Sequence, residues 1–478
     1  MSIQTVTGAF SYRTGLMLLG AGLAIGFGYA VVYQSGLVYY LVLGAVAVGI
    51  GVATLILPIE LLLVAAVLGG ILADSWLVPR NLIFYSRFAP AALLSVRAAL
   101  ELVVRRRRDW IIPWPFIVPA ALFSVLAGFS TLYSVTSSTT LQRTATMASL
   151  FVGFGLAVPQ SFDSSRRMEQ GFRWVAAALA LTVLGGIVIF GREQFGTMIE
   201  YSFVRLQGVF TNSNTQGLMA MVAFFAVLGW WHTEQSPSVR ATLAMALVGL
   251  VIGVVTSGSR ASMIGLMLGG LLFLWLRGRV SRANAFLVLL VLLLAIMFAF
   301  LDPTFGRVLN YSGELDRVAL WQRAFEIGSA HPILGVGFGS SDRLFYGDVP
   351  YLQSLGIFTA GSHNSYLRLF VDLGVVGLLI GLSIFAAVFM TLMFAPGEIR
   401  GDGLAAALAG GVMGGLVDSF FEDWLFGFGS AATPATWLFV VLLALRVGLL
   451  ARRPGPEPDI PAEGPLQDSF AMEHEAAG

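Results

Sequence analysis

The chain has 478 residues, 57% hydrophobic and only 12% charged, with a mean hydropathy of +0.82; a soluble domain of this length would need far more charge to cover its surface. A net charge of +1 gives no bulk attraction for nucleic acid, and the lack of cysteine excludes disulfides, thiol catalysis and thiolate metal sites. All 28 basic residues are arginine, so every fixed cation is a forked guanidinium suited to phosphate or carboxylate.

Continuous apolar runs recur along most of the chain, each long enough to cross roughly 30 Å of hydrocarbon as a helix. Alternating strands of a spanning barrel are absent from the pattern. The expected fold is an all-α polytopic membrane protein with about twelve to fourteen transmembrane helices. Arg13 precedes the first run, and no small-residue cleavage site follows, so this run reads as an uncleaved span. Spans are expected near 16–33, 37–57, 59–76, 111–129, 143–160, 172–190, 215–231, 241–256, 261–276, 284–301, 366–394, 403–420 and 432–450. The segment 82–104 is apolar but carries Arg87, Arg97 and Glu101, so it either lies in the interface or crosses as an imperfect span. Residues 1–453 then form one integral membrane domain, and the Pro/Glu/Ala/Gly-rich tail 454–478 is expected to be disordered and cytoplasmic.

Arginine-rich short loops stay inside. Arg105–Arg108, then Arg166, Arg167 and Arg173, then Arg277, Arg279 and Arg282, then Arg452 and Arg453 all mark one face. Alternation puts 191–214, 257–260, 302–365 and 421–431 on the outer face, which in a bacterial inner membrane is periplasmic. The longest of these, 302–365, contains an amphipathic helix from Glu314 to Ser329, with Val318, Trp321 and Phe325 on its apolar side. Gly410, Gly411, Gly414 and Gly415 fit close helix packing, and the glycines of "GVGFG" (335–339) fit tight turns or close backbone approach.

The outer loops carry Arg192, Arg205, Arg260, Arg307, Arg317, Arg323, Arg343 and Arg368. Local acids account for some: Arg368 has Asp372 at i+4, and Arg317 and Arg323 have Glu314 and Glu326 nearby. Arg205, in "SFVRLQGVFTNSNTQG", and Arg260, in "TSGSRASMIG", have no acid within four residues. Each is expected either to bind a substrate phosphate through bidentate charge-assisted bonds or to snorkel to lipid phosphates. His363, in "GSHNSYLRLF", precedes a long span that Ser362 or Asn364 can cap. The positive end of that helix favours a neutral imidazole, the form a general base needs; the alternative is a histidine that merely assists the cap. His331 is expected to pack in a loop. Asp418, Glu422 and Asp423 either cap a helix, the preferred reading, or orient a base or bind sugar hydroxyls. No His/Asp/Glu spacing calls for a metal, and no cofactor is expected.

The segments "GVFTNSNTQG", "TSGSRAS", "HPILGVGFGS" and "SHNSYLRLFVDLGVVGLL", in that order, resemble the O-antigen ligase and polymerase family of bacterial surface-polysaccharide assembly, over roughly residues 200–395. The resemblance implies a C-type membrane glycosyltransferase that works at the periplasmic side without a metal. Its donor would be a glycan on undecaprenyl pyrophosphate, bound by Arg205 and Arg260, with Arg317 as a further arginine of the long loop. His363 would act on the acceptor hydroxyl. A polymerase, with a lipid-linked repeat unit as acceptor and a possible chain-length regulator as partner, is the preferred expectation. A ligase acting on lipid A–core is the alternative, and a lipid-linked sugar transporter the reading from another class.

Overall fold

The computed structural model describes residues 57–76, 89–104, 110–201, 205–281, 284, 313–349, 361–427 and 430–452. The spans expected at 16–33, at 284–301 and over nearly all of 37–57 lie outside these residues, as do Arg105–Arg108, Arg307 and the tail. Among the described residues the chain is almost entirely helical, and the one bridge outside helices pairs Ser75 with Phe210. The helices are α1 (Ile59–Ala73), α2 (Ala89–Val104), α3 (Trp114–Phe129), α4 (Ser137–Val152), α5 (Ser165–Tyr201), α6 (Ser213–Thr233), α7 (Pro237–Ser257), α8 (Arg260–Leu276), α9 (Gly313–Ala330), α10 (Ser341–Gly347), α11 (Ser365–Met393), α12 (Gly403–Asp418) and α13 (Ala432–Ala451). Among the described residues six helical runs are long and apolar enough to cross a membrane: Trp114–Leu132, Ser137–Ser161, Ser165–Gly191, Pro237–Ser257, Ser365–Met393 and Ala432–Ala451. The protein is an all-α polytopic membrane protein, as the apolar runs predict.

Glycine decides the closest helix contact. Gly265 and Gly269 on α8 face Gly414 and Gly410 on α12, and a Cβ added at Gly269 would lie 2.3 Å from the Gly410 carbonyl oxygen. Lipid chains are as apolar as leucine, so such helices gain by close van der Waals approach rather than by escaping water. An aromatic cluster packs where α3, α4, α11 and α13 meet. Phe123 stacks on Phe426 at 5.1 Å and meets Phe338 edge-on at 5.5 Å, while Trp437 contacts Phe385 at 4.9 Å. Phe338 and Phe426 belong to connecting loops, so this cluster anchors two loops from below.

The span expected as one helix near 366–394 is broken. Gly374 has φ 66° and ψ −167° inside α11. The break frees backbone groups in an apolar setting, where each must find a partner. The loop before α10 supplies them. Pro332 and Ile333 carbonyls accept from Val375 and Val376 N–H at 2.8 and 3.3 Å, and Val336 and Gly337 N–H donate to Val371 and Asp372 carbonyls at 3.0 and 2.9 Å. A Cβ on Gly335 would lie 2.4 Å from the Asp372 backbone, and one on Gly374 2.2 Å from that of Ile333. Of the "GVGFG" glycines, Gly335 serves close backbone approach, while Gly337 and Gly339 make room for Ser134 and the Arg143 side chain.

In α2 the Arg97–Glu101 pair is buried inside the protein at 2.5 Å. In α9 Leu320, Ala324 and Gly328 are buried, Trp321 meets Phe420 edge-on at 5.3 Å, Phe325 stacks on Phe370 of α11 at 6.1 Å, and Val318 is exposed. Two sequence expectations need correction. Arg368 does not settle its charge on Asp372 at i+4, and His331 is exposed rather than packed.

The arginine turns and the candidate residues sit at opposite helix ends. Arg173 donates to the Thr233 carbonyl at 2.6 Å, Arg277 donates to the Gly401 carbonyl, and Arg446 joins Glu169 and Asp402 at 2.7 and 2.9 Å. Residues 205–214, 257–262, 363–368 and 418–427 occupy the other end of the same helices.

Replacing Gly410 by isoleucine is expected to lower stability by about 1–3 kcal/mol through overpacking against Phe225 and α8. Gly270→Ala, at a position with open space around it, should be neutral or slightly stabilising. Thermal unfolding in detergent checks both; equal behaviour would show that the α8–α12 contact does not limit stability.

Candidate functional site

The site begins with two tight loops. The 205–211 segment is tied down by Leu206 N–H to the Thr256 carbonyl (3.1 Å), Thr211 N–H to the Asp74 carbonyl (3.0 Å) and Ser75 Oγ to the Val209 carbonyl (2.7 Å). Asn212 then caps α6, accepting from Asn214 N–H at 2.8 Å. Arg205 Nε donates to the Ser257 carbonyl at 2.7 Å, and its Nη2 donates to Asn214 Oδ1. Gly258 makes this possible: it ends α7 in the left-handed region at φ 64°, and a Cβ there would lie 2.9 Å from Arg205 Nε. Ser259 caps α8, so Arg260 stands exposed on its first turn.

His363 has φ 44° and is the positive-φ non-glycine residue of the described chain. Such a backbone costs on the order of 1–3 kcal/mol and persists when its surroundings fix it. They do. Asn364 caps α11, accepting from Tyr366 and Leu367 N–H at 2.9 and 3.0 Å. Ser365 N–H donates to the Ser419 carbonyl at 2.9 Å, Ser365 Oγ donates to the Glu422 carbonyl at 2.8 Å, and Tyr366 OH donates to the Leu416 carbonyl at 2.6 Å. The start of α11 is thereby stitched to the loop after α12.

Glu422 is the hub. Its Oε1 accepts from Asn214 Nδ2 at 2.6 Å and from Arg317 Nη2 at 3.1 Å, and its Oε2 lies 3.4 Å from His363 Nδ1. The preferred reading of Glu422 as a helix cap is therefore wrong, and its role in orienting the histidine is the one the geometry supports. Arg317 also finds its acid across the fold, not within α9. The structure brings Arg205, Arg317 and His363 together through Asn214 and Glu422, and Arg260 is near enough to press electrostatically on Arg205.

Beside this hub lies a second ionic network. Arg368 bonds Asp342 at 2.7 Å and Asp423 at 2.9 Å, and Arg143 also pairs with Asp342. Arg323 bonds Asp348 at 2.8 Å and Glu326 at 3.2 Å, so its expected pairing with Glu326 is present but secondary. Asp372 instead accepts from Ser341 N–H at 3.0 Å.

The electrostatics follow from this arrangement. Hydrogen bonding to Glu422 raises the His363 pKa above its ordinary value, against the opposing effect of burial. This corrects the expectation that the helix end keeps the imidazole neutral: the neighbouring carboxylate outweighs the helix dipole. Nδ1 lies 3.4 Å from Glu422 Oε2, and in the neutral tautomer that donates from Nδ1 the other nitrogen, Nε2, is the proton acceptor. Partial burial, then the like charges of Arg317 and Arg260, hold the Arg205 guanidinium below its usual range, against the pull of Glu422. Arg205, Arg260 and Arg317 thus lie close enough to Glu422 or to one another to interact, and an anion bound among them would be attracted by all three. Among the described residues no three His, Asp or Glu side chains lie close enough to share a metal ion.

Sequence reasoning missed Asn214, undervalued Glu422, and misassigned the partners of Arg317 and Arg368. Asn214 lies in the "GVFTNSNTQG" segment and Glu422 among the acids after the 403–420 span, but partners 26 to 208 residues apart are invisible to local spacing.

The fold and this polar end define a multi-pass helical membrane protein with a cluster of arginines around one histidine. Residues 245–382 match the family model described as O-antigen ligase, a span that includes Arg260, Arg317 and His363 and is narrower than the roughly 200–395 of the motif resemblance. The chain is also similar to an O-antigen ligase of Pseudomonas aeruginosa, 29% identical over 169 residues, or 35% of this chain. That match spans 39% of the relative's length. Both matches are in line with the resemblance of the motifs to the O-antigen ligase and polymerase family.

The raised His363 pKa should fall when Glu422 is replaced by glutamine, because the charged form loses its carboxylate partner. With only 4 histidines in the chain, NMR titration of labelled histidine resolves the shift. An unchanged pKa in Glu422→Gln would show that the two groups are not coupled.

Proposed function

We propose that this protein is a glycosyltransferase of the O-antigen ligase type. It moves a glycan from undecaprenyl pyrophosphate to a sugar hydroxyl of lipid A–core, at the periplasmic face of the bacterial inner membrane. The observation that carries the reading is the convergence of Arg205, Arg317 and His363 on Glu422, with Arg260 beside them. The comparisons favour ligase over the polymerase preferred from motifs, because both matches carry the ligase description.

The chemistry is a single displacement. The acceptor hydroxyl oxygen forms the new bond to the anomeric carbon as the bond to the pyrophosphate oxygen breaks, with inversion. His363 Nε2 takes the hydroxyl proton, and Glu422 stabilises the imidazolium that results. Charge grows on the leaving pyrophosphate, where Arg205, Arg260 and Arg317 neutralise it; interactions aimed at developing charge contribute most to rate. Neither step requires a metal.

His363→Ala is expected to lower turnover by about 10²–10⁴-fold, and Arg260→Ala by about 10²-fold, with membrane levels of the protein unchanged. The assay is reconstitution in liposomes with a lipid-linked glycan and lipid A–core. One transfer per acceptor supports the ligase, a ladder of products identifies a polymerase, and passage across the bilayer without bond formation identifies a transporter. Because His363 must be unprotonated to act as base, activity should drop as pH falls through its raised pKa. Glu422→Gln should move that acidic limb to lower pH while reducing the maximal rate.

A further inference from the structure

A cleft of about 310 Å³ opens beside Glu422, on the side lined by Asp74, Asp342, Asp423, Arg143 and Arg368. Asn214 and Glu422 line it too, so it is continuous with the centre, but none of Arg205, Arg260 and Arg317 does. Its volume is at the low end of ligand pockets, about 300–1,000 Å³, enough for the end of an oligosaccharide. Four carboxylates face two guanidiniums across it, so its charge is opposite in sign to the arginine side.

The carboxylates are held in place and still accessible. Arg368 clamps Asp342 and Asp423, whose side chains keep 30% and 28% of their exposure. Burial alone would raise the Asp342 pKa, yet Arg368 and Arg143 bring it below the ordinary value, so it stays an acceptor. On the far wall Thr211 Oγ1 donates to Asp74 Oδ1 at 2.9 Å. Carboxylates with spare lone pairs are matched to hydroxyl donors, and the arginines between them supply donors for ring and hydroxyl oxygens. A phosphate placed here would meet like charge.

We propose that this cleft is the subsite for the acceptor sugar, and that it selects an uncharged, polyhydroxylated ring while excluding a phosphorylated one. The inference rests on the glycosyltransferase reading above. The two sides of Glu422 divide the work by charge: the arginine side takes the diphosphate, and the carboxylate side presents the hydroxyl to His363. An acceptor carrying phosphate next to its reactive hydroxyl is a poor substrate because its charge draws it to the donor's side.

The test is direct binding to the full-length protein in nanodiscs, by saturation-transfer NMR. The probes are glucose, galactose and N-acetylglucosamine, each with its 6-phosphate. At least one neutral sugar is expected to bind, with its 6-phosphate at least about tenfold weaker. Asp74→Asn keeps the acceptor for Thr211 and removes only the charge. It should weaken the neutral sugar about threefold to tenfold and narrow the discrimination. Asp423→Asn, which leaves Arg368 a neutral acceptor, gives an independent reading of the opposite wall. Binding of the 6-phosphates as tight as the neutral sugars, binding by none of the neutral sugars, or no change in both variants would overturn the subsite. Because binding needs no turnover, sugar binding without glycan transfer would overturn the ligase reading alone, whereas transfer insensitive to both variants would overturn the subsite alone.

Discussion

The Glu422 carboxylate ties together the polar end of this protein. Arg317 and Arg260 both press on Arg205 with like charge, so a nearby counter-charge favours gathering them. Glu422 supplies it. Through its two oxygens it takes donors from Asn214, Arg317 and His363, which arrive on α6, on α9 and just ahead of α11.

Rigid backbone beneath the site keeps the hub in place. The broken α11 would expose unpaired amides and carbonyls, but the 331–340 loop fills the gap with its own backbone groups. Glycine is required at this junction because two chains pass within contact distance, leaving no room for a Cβ. The same loop sends Phe338 into the aromatic cluster that also takes Phe426 from the loop after Glu422. Trp437 Nε1 donates to the Leu425 carbonyl at 2.9 Å, fastening that loop to α13. The helix break, the aromatic cluster and the Glu422 hub are thus one mechanical unit, which explains how His363 is kept at positive φ.

The region matching the O-antigen ligase family holds Arg260, Arg317 and His363, whereas Arg205, Asn214 and Glu422 lie outside it. The centre is therefore built from both sides of the matched segment. The carboxylate-lined cleft adjoins this centre through Asn214 and Glu422.

Much of this was legible in the amino-acid order. Apolar run length fixed the helical membrane class, because hydrocarbon thickness dictates how many residues a span needs. The arginine turns gave the two ends, and Arg205, Arg260 and His363 stood out because nothing nearby in sequence explained them. What sequence could not show was partnership across distance. Glu422 looked like a helix cap because its three partners lie 59, 105 and 208 residues away. Arg368 looked paired at i+4, yet its charge is taken by Asp342 and Asp423, which only folding brings near. The His363 protonation balance followed the same rule. Local sequence supplies the helix dipole, a weak and partly screened field, while tertiary structure supplies a full charge within hydrogen-bonding reach, and the full charge prevails.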